Sequence, residues 1–292
     1  MLKSGDMVAL VCCSNGQPLE KRHENEQLKK VLASFGLQIW ESPYLYAGDT
    51  LFPADAATRA AVLMECYQNP DIHAIFDISG GDIANEILDF LDFSVIQEHS
   101  KPLFGYSDLT CLLHAVYAAT KQQVFLYQVK NLVYQDTEGQ KARFYSTLFE
   151  GKKDLFTAKY RFLQGTEMAG SLIGGNARCL LKLAGTPFWP DFYGKILFLE
   201  ALGGGAAQIT DYLSHYRQMG VFEQVRGILL GTFTQLEQSE EHPGIEELLF
   251  RFIGKSIPVA KTQQIGHGPD SRCLPVGGNI SLHASGKGDV CI

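Results

Sequence analysis

The chain has 292 residues, 46% hydrophobic and 20% charged, a profile that fits one large or two modest globular domains and excludes a disordered or fibrous class. A net charge of −7 and the lack of any lysine or arginine block argue against nucleic acid or an anionic membrane surface as a partner. Seven cysteines without CxxC spacing suit a reduced protein, and eight histidines without HxxxH or HExxH spacing suggest no metal site.

Residues 7–13 are apolar and run into Ser14-Asn15-Gly16-Gln17-Pro18, so 8–12 reads as a buried strand and not as a signal peptide. Residues 19–34 predict a helix stopped by Gly36, and 37–40 a second strand. A helix over 53–67 starts on a proline and ends at Asn69-Pro70. Residues 73–78 predict a third strand, leading into Ser79-Gly80-Gly81-Asp82 and a short helix through Leu91. A strand at Leu103, a helix over 109–119 and a strand over 123–127 complete the alternation. That pattern predicts an α/β domain with a parallel sheet covered on both faces, whose ligands sit beyond the C-terminal strand ends. Gly80-Gly81 and Ser107 both fall there.

Residues 132–165 change to a polar and aromatic mix and read as a linker or lid between a domain over 1–131 and a mixed α+β domain over 166–292. In the latter, 195–200 is a strand closing on Glu200. Gly203-Gly204-Gly205 breaks the chain before a helix over 206–219, 225–232 is strand-like and 245–252 helical. The triple glycine is not a phosphate loop, because no GK[ST] follows it. No stretch approaches the roughly 20 apolar residues of a membrane span, which points to the cytoplasm.

Phe104-Gly105-Tyr106-Ser107-Asp108 joins the Leu103 strand to the following helix with a serine at the apex. Glycine two residues before the serine relieves the crowding of a sharp turn that lifts a hydroxyl toward helix N-terminal amides. Ser107 reads as a nucleophile or as an ordinary N-cap, and these residues alone leave both open. The usual second glycine is replaced by Leu109. A serine hydrolase needs a base and an acid that orients it. His267, in Gly266-His267-Gly268-Pro269, is free of helix and strand and is the better base. His114 lies two turns along the serine's own helix, roughly 10 Å away. Glu200 either pairs with a base or reaches solvent at its strand end. A glycine amide of Gly80-Gly81 can complete an oxyanion hole with the amide of Asp108. A cysteine nucleophile at Cys111, one turn into the helix, is a weaker alternative.

Together these segments resemble the LD-carboxypeptidase family of serine peptidases, which includes the microcin C self-immunity peptidases. The resemblance rests on the strand ending near Ser14, Gly80-Gly81, Phe104-Gly105-Tyr106-Ser107-Asp108, the run from Gly170 to Thr186, the 196–200 strand with Glu200, and Ile265-Gly266-His267-Gly268. It implies a flavodoxin-like or class I amidotransferase-like N-terminal domain carrying Ser107 as nucleophile. The C-terminal domain would supply Glu200 and His267, and the amides of Gly81 and Asp108 the oxyanion hole. It further implies metal-free and cofactor-free acyl transfer at a domain interface, and a homodimer.

Two departures bear on substrate. Many members have Arg-Gly-Gly-Tyr-Gly where this chain has Ser79-Gly80-Gly81-Asp82-Ile83, and a His-Gly-Pro-type segment where it has Tyr127-Gln128-Val129. The expected substrate is therefore a murein-type peptide or a peptidyl- or aminoacyl-nucleotide. Tyr145, Phe149, Phe156 and Tyr160 either stack on a base or serve packing. The rival from another class is a non-catalytic ligand-binding protein that keeps the fold.

Overall fold

The computed structural model describes residues 1–48, 50–239, 242–284 and 289–290. The first half alternates as expected: β1 (Met7–Val11), α1 (Arg22–Ser34), β2 (Gln38–Glu41), α2 (Ala56–Gln68), β3 (Ile72–Asp77), α3 (Phe93–Glu98), β4 (Leu103–Gly105), α4 (Thr110–Thr120) and β5 (Val124–Leu126). β1 pairs in parallel with β2 and β3, β3 with β4, and β4 with β5. Val8 to Val11 are fully buried, as strands covered on both faces must be. Helix α2 starts later than its proline suggests, because Asp55 accepts a 2.7 Å bond from the Thr58 amide and caps it. Such a cap stabilises by about 0.5–2 kcal/mol. The Ala84–Phe90 segment is a 3-10 helix, followed by α3 on its own Asp92 cap, a helix too short for periodicity to reveal.

The chain continues through α5 (Thr137–Leu148), β6 (Ala158–Lys159), β7 (Arg161–Gln164), β8 (Glu167–Asn176), α6 (Ala177–Leu181), β9 (Ile196–Ala201), α7 (Ala206–Gln218), β10 (Gly227–Phe233), α8 (Thr234–Gln238), α9 (Ile245–Phe250), β11 (Val259–Lys261), β12 (Leu274–Val276), β13 (Asn279–His283) and β14 (Asp289–Val290). A second sheet has the order β13-β8-β9-β10-β11-β7, parallel from β8 to β11 with an antiparallel strand at each edge. The α/β character and the second, mixed sheet match the expected fold class. One strand crosses over: β12 pairs antiparallel with β5 and closes the first sheet.

Residues 132–165 carry α5, whose Phe144 is fully buried against Phe35 and Phe76 at 5.7 and 5.9 Å. The buried Gln140 amide donates to the carbonyls of Pro269 and Ser271 at 2.8 and 2.9 Å. The aromatic rings of this stretch serve packing. Tyr145 stacks on Phe149 at 4.8 Å, Phe156 lies over Phe125 at 6.1 Å and Tyr160 meets Phe162 edge-on at 5.8 Å. Of the two readings of these rings, the contacts support packing.

Helix α4 joins the two sheets. Thr110 Oγ1 accepts from the Asn176 amide at 3.1 Å, and His114 Nε2 from the Gly174 amide at 2.9 Å. With α4 on β8, the loops after β3, β4, β9 and β11 converge on one cavity. This is where α/β sheets place ligands.

Candidate active site

Strand β4 ends on Gly105, where a Cβ would lie 2.8 Å from the Leu109 Cβ. Only glycine lets the chain fold back so tightly. Two residues on, Ser107 has φ +57°, in the left-handed region that non-glycine residues rarely occupy. Such a conformation costs on the order of 1–3 kcal/mol and persists only where its surroundings enforce it. Ser107 opens a short 3-10 turn, Ser107–Leu109, whose N-cap is Tyr106, and the helix after it has Leu109 at its N-cap, so Ser107 caps neither and the N-cap reading does not hold.

Its neighbour Asp108 anchors the turn. The fully buried carboxylate accepts from Ser14 Oγ at 2.6 Å, from the Ala84 amide at 2.9 Å and from Lys182 Nζ. Lys182 also donates to the Asp82 carbonyl at 2.7 Å, and Arg178 to the Gly81 carbonyl at 3.1 Å. The loop of Gly81 is thus held from the second sheet's side by α6 and the residue just after it. A buried carboxylate paired this way is costly to uncouple, on the order of 3–5 kcal/mol when one partner is removed.

Glu200, near the end of β9, is fully buried and does not reach solvent. Its Oε2 lies 2.7 Å from His267 Nδ1, and its Oε1 accepts from Asn176 Nδ2 at 3.0 Å. Asn176 is used twice, since its Oδ1 caps α6 through the Cys179 amide at 3.2 Å. With Nδ1 donating to the carboxylate, His267 Nε2 is the accepting nitrogen. That atom is buried and has no hydrogen-bond partner among the described residues. The Tyr106 ring meets the imidazole edge-on at 5.1 Å. Burial, with the Glu200 carboxylate adding to it, pushes the Tyr106 phenol well above its ordinary range and keeps it protonated. Gly231 on β10 makes this packing achievable, because a Cβ there would lie 2.4 Å from the Ile265 carbonyl and 3.0 Å from the Glu200 Cβ.

Ser107, Gly81 and His267 line one cavity of about 390 Å³. Ser107 and Gly81 also line a neighbouring cavity of about 720 Å³, which Leu202 shares with the first. The five residues singled out in the sequence therefore gather at one place: four by lining or bonding, and Asp108 next in the chain to Ser107. Asn176, Arg178 and Lys182 lie within the 170–186 run with no local signal of a role, and only their partners across the fold reveal one.

The competing groups are elsewhere. His114 is fully buried between two backbone partners, and burial lowers its pKa to about 4. Cys111 is fully buried, bonded to the Asp108 carbonyl at 3.1 Å, and burial pushes its thiol up to about 12. A thiol so far from ionisation is a poor nucleophile. Among the described residues no group of three or more His, Cys, Asp or Glu could hold a metal ion, and no helix is long and apolar enough to cross a membrane.

Comparison with known proteins adds the following. Residues 8–127 match the model of the LD-carboxypeptidase N-terminal domain and residues 169–282 that of the LD-carboxypeptidase C-terminal domain. A probable murein peptide carboxypeptidase of Bacillus subtilis is 27% identical over 296 residues, covering 98% of this chain and 91% of that protein. The microcin C7 self-immunity protein MccF of Escherichia coli is 28% identical over 262 residues, covering 78% and 76%. A structure of MccF in complex with glutamyl sulfamoyl guanosine superposes with a TM-score of 0.89 at 22% identity, covering 99% of this chain and 96% of that one.

Proposed function

The chain belongs to the LD-carboxypeptidase family, and on that premise we propose that it is a serine peptidase whose triad is Ser107, His267 and Glu200. One observation carries the reading. His267 is tied through Nδ1 to a buried carboxylate while its buried Nε2 stands without a partner in the cavity that Ser107 lines. An imidazole oriented by a carboxylate, with its accepting nitrogen free, supports a general-base role toward a hydroxyl in the same cavity.

In the proposed reaction His267 Nε2 takes the hydroxyl proton as Ser107 Oγ attacks the carbonyl carbon of an amide. The amides of Gly81 and Asp108 stabilise the oxyanion; those in a helix's first turn lack intrahelical acceptors and suit that task. As the tetrahedral adduct collapses, the C–N bond breaks and His267 returns the proton to the leaving amine. Water, deprotonated by the same nitrogen, then releases the acyl group from Ser107. Glu200 keeps the imidazole in the required tautomer and stabilises its charged form.

The proposed substrate is a short peptide cleaved next to its terminal residue, as the name of the Bacillus relative suggests. A second reading, hydrolysis of an aminoacyl-nucleotide, is favoured by the larger cavity, where Tyr212 offers a ring beside polar groups. Turnover of an L,D-peptide and of an aminoacyl-sulfamoyl nucleoside, compared in wild type and Ser107→Ala, tests both. Loss of nucleophile lowers turnover by a factor on the order of 10⁶. Binding without turnover of either compound would support the non-catalytic alternative instead.

A further inference from the structure

The smaller cavity contains a charge that the reaction above does not use. Lys130, on the short turn after β5, is 4% exposed and is the one permanently charged side chain among the described residues lining that cavity. Its Nζ donates to Gln17 Oε1 at 2.7 Å and lies 3.0 Å from Glu24 Oε1. Of the three N–H bonds of the ammonium only the one to Gln17 is a hydrogen bond; Glu24 pairs with it as a charge, and the Tyr134 ring, which lines the same cavity, lies 5.8 Å from Nζ. Glu24 does not cancel the charge by itself, since it also pairs with Lys21 at 2.8 Å. Two ammonium groups therefore face one carboxylate. Burial alone would raise the Glu24 carboxyl, but Lys21 and Lys130 outweigh it and hold it below its ordinary value, so it stays ionised.

The larger cavity differs. Asp82 and Arg178 line it but pair with each other, and Gln208, Gln235 and Gln238 add uncharged amides. Ser107 and Gly81 stand where the two cavities meet, so a scissile amide placed there sends one half of the substrate into each. A buried, incompletely neutralised ammonium favours an anionic group that can be desolvated against it. A neutral, amide-lined space favours a polar, uncharged chain.

We infer that Lys130 is a specificity-determining residue that binds the free terminal carboxylate of the substrate, with the leaving residue in the smaller cavity and the acyl portion in the larger one. The inference rests on the peptidase reading for its orientation, but the carboxylate site itself can be tested without turnover. Gln17 accepts a hydrogen bond from the ammonium and Glu24 pairs with it, so the charge is held in place before the substrate arrives.

The test is titration calorimetry on the Ser107→Ala protein with N-acetyl-L-lysyl-D-alanine and with the same peptide as its C-terminal amide. The acid is expected to bind about tenfold to a hundredfold more tightly than the amide, the range of a charge-assisted hydrogen bond. Adding Lys130→Met should bring the acid down to the affinity of the amide and leave the amide unchanged, which also reports that the fold is intact. Equal binding of acid and amide, or no binding of either, overturns the inference without recourse to any Lys130 variant. So does a Lys130-dependent affinity for an aminoacyl-sulfamoyl nucleoside with none for the peptide acid. If Lys130-dependent discrimination appears but the wild-type protein cleaves neither peptide, the peptidase reading falls and the carboxylate site stands.

Discussion

Glu200 Oε2 and His267 Nδ1 lie 2.7 Å apart although 67 positions separate the two residues in the chain. The contact joins the end of one parallel strand to the loop after another, and Gly231 on β10, the strand between them, lies against Glu200 and against Ile265, two residues before His267. Around it, a buried carboxylate, an oriented imidazole and a strained serine turn occupy one corner of the fold. The energetic cost of each is met by a neighbour: Asn176 for Glu200, and the bonds that fix Asp108 for the turn.

Replacing Glu200 by Gln keeps the shape of the side chain but presents an amide to the imidazole. The favoured tautomer is then lost, and with it the accepting nitrogen toward Ser107. Turnover is expected to fall by a factor on the order of 10⁴, as for the equivalent change in serine proteases, with little change in substrate affinity. Steady-state kinetics with a measured substrate dissociation constant checks this. A variant with near wild-type turnover would remove Glu200 from the proposed triad.

Gly231→Ala would place a methyl group 2.4 Å from the Ile265 carbonyl and 3.0 Å from the Glu200 Cβ. The backbone carrying His267 must then move away from Glu200. Overpacking of this kind costs about 1–3 kcal/mol. Denaturant titration should show that loss, together with reduced turnover in the protein that remains folded at low denaturant. Unchanged stability would mean the two segments are not held as closely as described.

His114 supplies a pH dependence of a definite sign. Burial lowers its pKa to about 4 in the folded protein, against an ordinary value of 6.5. Between those limits the unfolded chain binds a proton that the native protein refuses, so stability rises with pH from about 4 to 6.5 and the contribution is complete above that window. Protonation would also turn Nε2 from an acceptor of the Gly174 amide into a donor facing it. Melting temperatures of wild type and His114→Gln across this range should diverge in slope, the variant being flatter. Parallel slopes would contradict the assignment.

The local signals of the site were legible because each is a short-range pattern. A strand, a glycine and a serine before an apolar helix signal the Ser107 turn, and an acid closing an apolar strand and a glycine-flanked histidine single out Glu200 and His267, which the structure brings to 2.7 Å. What escaped was non-local. Nothing near Asn176, Arg178, Lys182 or Lys130 in the chain announces partners 24, 97, 74 and 113 positions away. For the same reason β12 could not be foreseen as the closing strand of the first sheet. The helix α3 is six residues long, too short to carry a period.

Covalent capture of the nucleophile tests the proposed acyl-enzyme most directly. The wild-type protein is incubated with a fluorophosphonate, and the adduct is located by intact mass and peptide mapping. A single adduct on Ser107 is expected, absent from Ser107→Ala and formed far more slowly in His267→Ala. An adduct on another residue, or an unlabelled Ser107 under conditions in which the same sample hydrolyses peptide, would contradict the assignment of Ser107 as nucleophile.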